Sequence, residues 1–211
     1  MKILAHRGYW KIQEEKNSFV AFHRAFSNGF GVETDIRDYN GELVISHDMA
    51  NEKCLLVSEF FELYNRIDTS LPLALNIKAD GLQRPLKSLI ERYKINHYFL
   101  FDMSIPDLLV CIRQGFPVFT RESEFEKELP FYAQSLGVWA DEFDKHWIDE
   151  EVIQKHVRND KSICIVSPEL HRRNYHIEWE EYRKIQKKIP DQIMICTDFP
   201  QKAFEYFNEK N

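Results

Sequence analysis

The 211-residue sequence predicts an α/β fold, a single compact (β/α)8 TIM barrel over residues 1–211, and three observations lead there. Short, continuous apolar runs recur along the chain. A longer amphipathic stretch follows them in turn. Eight such units fit this length, near the lower size limit of the (β/α)8 barrel.

The apolar runs occupy residues 3–5, 32–36, 73–77, 98–101, 117–119, 138–140, 163–166 and 193–196. Runs so short and continuous suit strands buried on both faces, as in a parallel sheet. Between them lie helical patterns. Residues 18–26 begin at a cap-type Asn17-Ser18 and set Phe19, Phe22 and Phe26 along one side. Residues 58–66 read as an ordinary barrel helix, and Leu86, Leu89, Ile90 and Tyr93 carry the i, i+3, i+4, i+7 signature of a buried helical face. Residues 105–112, 149–157, 178–189 and 201–207 repeat that pattern more weakly. Strict alternation implies a parallel sheet, each strand followed by a helix. A doubly wound open sheet alternates in the same way, and periodicity leaves both architectures open.

Composition narrows the function classes. There are 28 Lys and Arg against 34 Asp and Glu, a formal net charge of −6, with 44% hydrophobic and 29% charged residues. That is a globular balance, and a net negative chain without a basic block is a poor partner for nucleic acid or anionic membranes. No apolar run nears the roughly 18 residues of a membrane span. The N-terminus turns polar too early for a signal-peptide core. Cys54, Cys111, Cys164 and Cys196 are scattered without a CxxC pair, which suits reduced thiols in a cytoplasmic protein. No repeat or Gly/Ser linker marks a domain boundary.

In either architecture the ligand end is the C-terminal end of the strands. The residues there are His6-Arg7-Gly8, Glu33-Thr34-Asp35, Asn76-Ile77-Lys78, Asp102, Thr120-Arg121, Asp141-Glu142, Ser167-Pro168-Glu169 and Thr197-Asp198. So many ionisable residues on one rim argue for a site. Glu33 and Asp35 share a strand face, because i and i+2 point the same way. Two carboxylates held together repel unless a cation sits between them, and oxygen donors suit a hard divalent ion such as Mg2+ or Ca2+. Ser46-His47-Asp48 ends a second apolar run, 43–45, after the turn signal Asn40-Gly41. That run is expected to fold back over the strand ends and set His47 above the same mouth as His6. Two histidines, an arginine and a metal form a sensible phosphodiester-cleaving set: one histidine takes a proton while the other gives one, and the arginine forks onto phosphate.

His-Arg-Gly at the first strand, Glu-x-Asp at the second and His-Asp shortly after resemble the glycerophosphodiester phosphodiesterases. Asn17-Ser18, Lys78 and Thr197-Asp198-Phe199-Pro200 continue the likeness in family order across almost the whole chain. The resemblance implies a barrel in preference to the open sheet. It implies His6 and His47 as the acid/base pair, Arg7 and Lys78 as phosphate contacts, and Glu33 and Asp35 as ligands of Mg2+ or Ca2+. It also implies a small phosphodiester substrate attacked by its own neighbouring hydroxyl through a cyclic phosphate.

Two departures stand out. Asn76 occupies the place of the family's third metal-ligand Glu; its carbonyl oxygen can still face a hard cation, with one negative charge fewer. Only residues 49–72 separate the His-Asp motif from the third strand, too few for the capping insertion common in the family. Asp48 is expected to orient a histidine, and Asp102 and Glu169 to act as structural or supporting carboxylates. Trp10 and Trp139 suit either core packing or stacking on a sugar or quaternary ammonium, and residues 171–176 suit a solvated loop or a basic lip. Two other functions fit the same residues: a non-catalytic phospho-ligand binder that has lost metal and turnover, and a lyase that releases the cyclic phosphate.

Overall fold

The structure, a computed structural model, describes residues 1–189 and 192–208. Contacts divide the chain into two compact units, Ala5–Val118 and, with Met1–Leu4, Phe119–Asn211. Strand β1 (Lys2–His6) contributes residues to both.

In the unit Ala5–Val118, helix α1 (Phe19–Ser27) starts where Ser18 Oγ accepts the Ala21 N–H. Strand β2 (Gly31–Tyr39) buries its first six residues and then rises into solvent. There it turns through Asn40 and Gly41, both at positive φ (49° and 84°), and returns antiparallel as β3 (Glu42–Ile45). Positive φ at both central positions is the hairpin geometry that Asn-Gly favours. Short β4 (Leu55–Leu56) pairs with β3, and α2 (Val57–Ile67) follows. Strand β5 (Leu73–Ile77) lies parallel to β2, with Asp35 opposite Asn76, and β6 (Tyr98–Phe101) lies parallel to β5. Helices α3 (Gln83–Tyr93) and α4 (Ile105–Arg113) complete the alternation. Helices α1 and α2 meet through an aromatic cluster: Phe22 and Phe60 at 4.7 Å between ring centroids, Phe26 and Tyr64 at 5.4 Å.

The other unit holds four parallel strands, β7 (Phe119–Ser123), β8 (Gly137–Asp141), β9 (Ser162–Val166) and β10 (Ile193–Thr197). Helix α5 (Glu150–Arg158) joins β8 to β9; α6 (His176–Gln186) precedes β10, and α7 (Pro200–Asn208) follows it.

All eight expected strands are present, but one expected helix is not. Residues 124–136, between β7 and β8, form an irregular loop. Pro130 cannot continue a helix, and Phe131 sits at φ 55°. Side chains satisfy the loop instead. Lys161 donates to the Ala133 and Ser135 carbonyls at 3.2 and 2.7 Å, and Tyr132 Oη lies 2.9 Å from His156 Nδ1. His156 is fully buried, with Nε2 2.8 Å from Glu122. Among the described residues, no helix is long and apolar enough to cross a membrane.

Candidate active site

Most of the expected site residues fall within the unit Ala5–Val118. Beyond β1 the chain turns sharply through Arg7 (φ 55°) and Gly8 (φ 87°). Gly8 presses on α1: a Cβ there would stand 2.8 Å from Ala21 Cβ and 2.9 Å from its carbonyl carbon. Only glycine permits both that φ and that approach. The turn brings the Arg7 amide to Glu33, whose carbonyl oxygen accepts at 2.9 Å and whose Oε2 accepts at 3.3 Å.

Asp35 is the hub. Arg7 Nε lies 3.1 Å from its Oδ2 and Lys78 Nζ 3.5 Å from its Oδ1. Asn17 Nδ2 donates to Oδ2 at 2.8 Å, while Asn17 Oδ1 accepts from Thr34 Oγ1 at 2.8 Å. Asn17 is itself left-handed (φ 57°), and its amide donates to the Arg7 carbonyl at 2.9 Å. One asparagine thus ties Arg7, Thr34 and Asp35 together. The sequence showed Asn17 as part of a helix start and of the family likeness, without a role for its side chain; the reach of 18 residues to Asp35 has no local signal. Lys78 also pairs with Asp102 at 3.3 Å.

Glu33 is buried beside His6, whose Nε2 lies 3.9 Å from Glu33 Oε2. Burial first, and the Asp35 charge second, push its carboxyl up to about 8, against the pull of Arg7 and Lys78. Asn76, opposite Asp35 on β5, is buried with Oδ1 lacking a hydrogen-bond partner, and Asp35 Oδ1 has no hydrogen bond, only the Lys78 ion pair at 3.5 Å. Two neighbouring carboxyl groups beside a bare amide oxygen are a donor set that suits a hard divalent cation. The residues present therefore fit such an ion.

His47 follows β3 and is half-exposed, with Nδ1 2.8 Å from Asp48 Oδ1. Its backbone carbonyl accepts from Arg37 Nε and Nη2. His47 and Arg7 line one cleft of about 710 Å³, with Asn17, Lys16, Lys53, Phe19 and Met49 also in its walls. The hairpin thus sets His47 and Arg7 in one cleft.

Other expected residues have different surroundings. Glu169 belongs to the second unit, where it accepts from Ser167 Oγ, from Thr197 Oγ1 and, at 3.1 Å, from the Asp198 amide. Trp139 is buried, and Trp10 donates to the His6 carbonyl at 3.1 Å while Lys16 Nζ lies 4.4 Å above its ring. Of residues 171–176, Arg172, Asn174 and His176 are exposed, while His171 pairs with Asp141 at 2.6 Å and Arg173 is held by Glu142 and Glu178.

That last knot includes a second set of metal-type donors. Glu142, His146 and Glu178 bring three donor atoms within 4.8 Å of one another, a possible cation-binding group the sequence did not reveal. Glu142 reaches His146 across a loop, and Glu178 comes from α6. Arg173 already bridges the two glutamates, and Glu142 also accepts the Trp147 and Ile148 amides at 2.8 Å each. The charges there are therefore largely paired by the protein itself.

No protein-family model matches the sequence, and neither does any curated protein. Solved structures do. A crystal structure from Galdieria sulphuraria assigned as a glycerophosphodiester phosphodiesterase superposes with a TM-score of 0.80 at 17% identity, covering 99% of this chain and 98% of that one. A phosphodiesterase from Oleispira antarctica, in complex with the product sn-glycerol-3-phosphate, gives 0.69 at 13% identity over 99% and 97%. The glycerophosphodiester phosphodiesterase from Agrobacterium tumefaciens gives 0.65 at 15% identity over 98% and 97%. At these identities the likeness is one of fold, and the fold of this chain is the (β/α)8 TIM barrel that glycerophosphodiester phosphodiesterases share.

Proposed function

We propose that the chain is a divalent-metal-dependent phosphodiesterase, hydrolysing a glycerophosphodiester-like substrate to a phosphomonoester and an alcohol. The observation that carries this reading is the shared cleft of Arg7 and His47, with Arg7 tied to the strand-end group through Asp35, which Lys78 also meets, and with Glu33 beside His6. The likeness in fold to phosphodiesterases, one of them holding sn-glycerol-3-phosphate, points the same way.

In this reading Arg7 and Lys78 bind the phosphoryl oxygens, exchanging part of their pairing with Asp35 for the substrate. His6 and His47 divide the proton work, one accepting from the attacking hydroxyl and the other protonating the leaving oxygen. Asp48 fixes the His47 ring through Nδ1, leaving Nε2 for the proton transfer. Glu33, Asp35 and Asn76 would hold the ion, Mg2+ or Ca2+, which when bound draws off charge building on the phosphoryl oxygens. A cytoplasmic setting is part of the proposal, supported by four scattered cysteines without a CxxC pair, three of them buried.

The test is release of phosphomonoester from glycerophosphodiesters with glycerol, choline, ethanolamine and inositol heads. Each is assayed with Mg2+, with Ca2+ and with chelator, in wild type and Asn76→Glu. Metal-dependent turnover is expected. Silence from both proteins across the panel would leave a phospho-ligand binder. Accumulation of cyclic phosphate without monoester would mark a lyase.

A further inference from the structure

Resting on the reading of the strand-end group as the metal-binding part of a phosphodiesterase, we infer that Asp102 is a positioning residue. It holds the Lys78 ammonium off Asp35 Oδ1 and so keeps that oxygen open to the divalent ion. Three adjacent strands set the residues in a row: Asp35 on β2, Asn76 opposite it on β5, and Phe101 opposite Asn76 on β6. Lys78 follows the last residue of β5, and Asp102 follows the last residue of β6. The Lys78 amide donates to the Ile36 carbonyl at 3.0 Å, which fixes the root of its side chain beside β2. Its ammonium then has two carboxylates within reach, Asp102 Oδ2 at 3.3 Å and Asp35 Oδ1 at 3.5 Å.

The two contacts are not equivalent. Lys78 donates a hydrogen bond to Asp102, whereas Asp35 Oδ1 receives none. Asp35 Oδ2 is already met by Arg7 and Asn17, so Oδ1 is the oxygen left to face an ion. An ammonium group carries three donors on a flexible stem. Without the Asp102 charge it would close on Asp35 Oδ1, fill the lone pair the ion uses and set a positive charge against it. Both partners are only about one-fifth exposed, Lys78 18% and Asp102 20%, so their pair is shielded better than a surface salt bridge. The backbone singles out Asp102 as well. It holds φ 69°, a left-handed conformation uncommon outside glycine, asparagine and aspartate. Glycine would suit that turn best, but the position carries the carboxylate that meets Lys78.

The experiment is a double-mutant cycle on ion binding, read by isothermal titration calorimetry with Ca2+ and with Mg2+ in the absence of substrate. Asparagine matches aspartate in size and tolerates the same φ, so Asp102→Asn is expected to leave circular dichroism unchanged. It is expected to weaken ion binding by about tenfold or more. Asp102→Gly, which suits that φ best, is the second variant and is expected to repeat the loss. Lys78→Met removes the competing ammonium. In that background the loss from Asp102→Asn is expected to shrink to about twofold or less, because the two residues act as a unit. Equal or tighter binding in both Asp102 variants, or the same loss in both backgrounds, overturns the inference while leaving the phosphodiesterase reading intact. Wild type that binds neither ion overturns the inference together with the metal dependence on which it rests.

Discussion

Asp35 shows how much of this site hangs on single side chains. It is fully buried, and its carboxylate is met by Arg7, Lys78 and Asn17. Asn17→Ala removes one donor to Asp35 and the acceptor for Thr34, and leaves alanine at a left-handed φ. We expect a loss of about 1–3 kcal/mol in urea unfolding and a fall in kcat of about tenfold or more as Asp35 and Arg7 drift from position. His6→Ala and His47→Ala are each expected to lower kcat by about a hundredfold or more with circular dichroism unchanged. At this scale the sequence was informative where the chemistry is written in short motifs: His-Arg-Gly, Glu-x-Asp and His-Asp all lead to the same unit. It was silent where contact is long-range. Nothing near Asn17 announces Asp35, and nothing near Glu142 announces Arg173 and Glu178, because such partners are set by packing.

Elements deliver these residues. The turn after β1 depends on Gly8, and Gly8→Ala would drive a methyl group into Ala21 at a φ that alanine resists. A destabilisation of more than about 2 kcal/mol is expected, read as a lowered midpoint in thermal unfolding. The Asn40-Gly41 hairpin was legible because positive φ at two successive positions has a residue signature. The helix expected between β7 and β8 came from alternation alone, with no helical pattern in residues 124–136, and what holds that segment as a loop is Pro130 with tertiary anchors such as Lys161 and the Tyr132–His156–Glu122 chain. In the same unit, the Asp141 hydrogen bond raises the His171 pKa above its ordinary 6.5. The stability from this pair is complete below about pH 6.5 and declines as pH rises through the raised value. Asp141→Asn should therefore destabilise most in acid, with the gap from wild type closing toward alkaline pH in denaturation series from about pH 5 to about pH 9. A gap that widens with pH would contradict the assignment.

Over the whole chain, alternation of eight short apolar runs with amphipathic stretches was enough to reach a parallel α/β architecture, since buried parallel strands and one-sided helices leave opposite patterns in sequence, while the choice of barrel over open sheet came from the family resemblance. The chain's net charge is −6, and the formal charges lining the cleft balance, Arg7, Lys16 and Lys53 against Glu14, Asp48 and Glu59. At the strand ends, Arg7 and Lys78 face Glu33, Asp35 and Asp102, so a bound divalent ion would leave that group net positive, matched to a phosphoryl group gaining negative charge. Asn76 in place of a carboxylate makes that balance more positive and the ion weaker. Mg2+ or Ca2+ at millimolar concentration should raise the melting temperature modestly, by mass action, and Asn76→Glu should enlarge the shift. The central claim is that His6 and His47 together make a phosphodiester-cleaving site. Phosphorus NMR tests it most directly, following glycerophosphodiesters in the presence of Mg2+ or Ca2+. The account predicts that wild type converts the diester resonance of at least one substrate to that of a monoester, while His6→Ala and His47→Ala leave it standing. Diesters untouched by wild type, or consumed as fast by both variants, would contradict it.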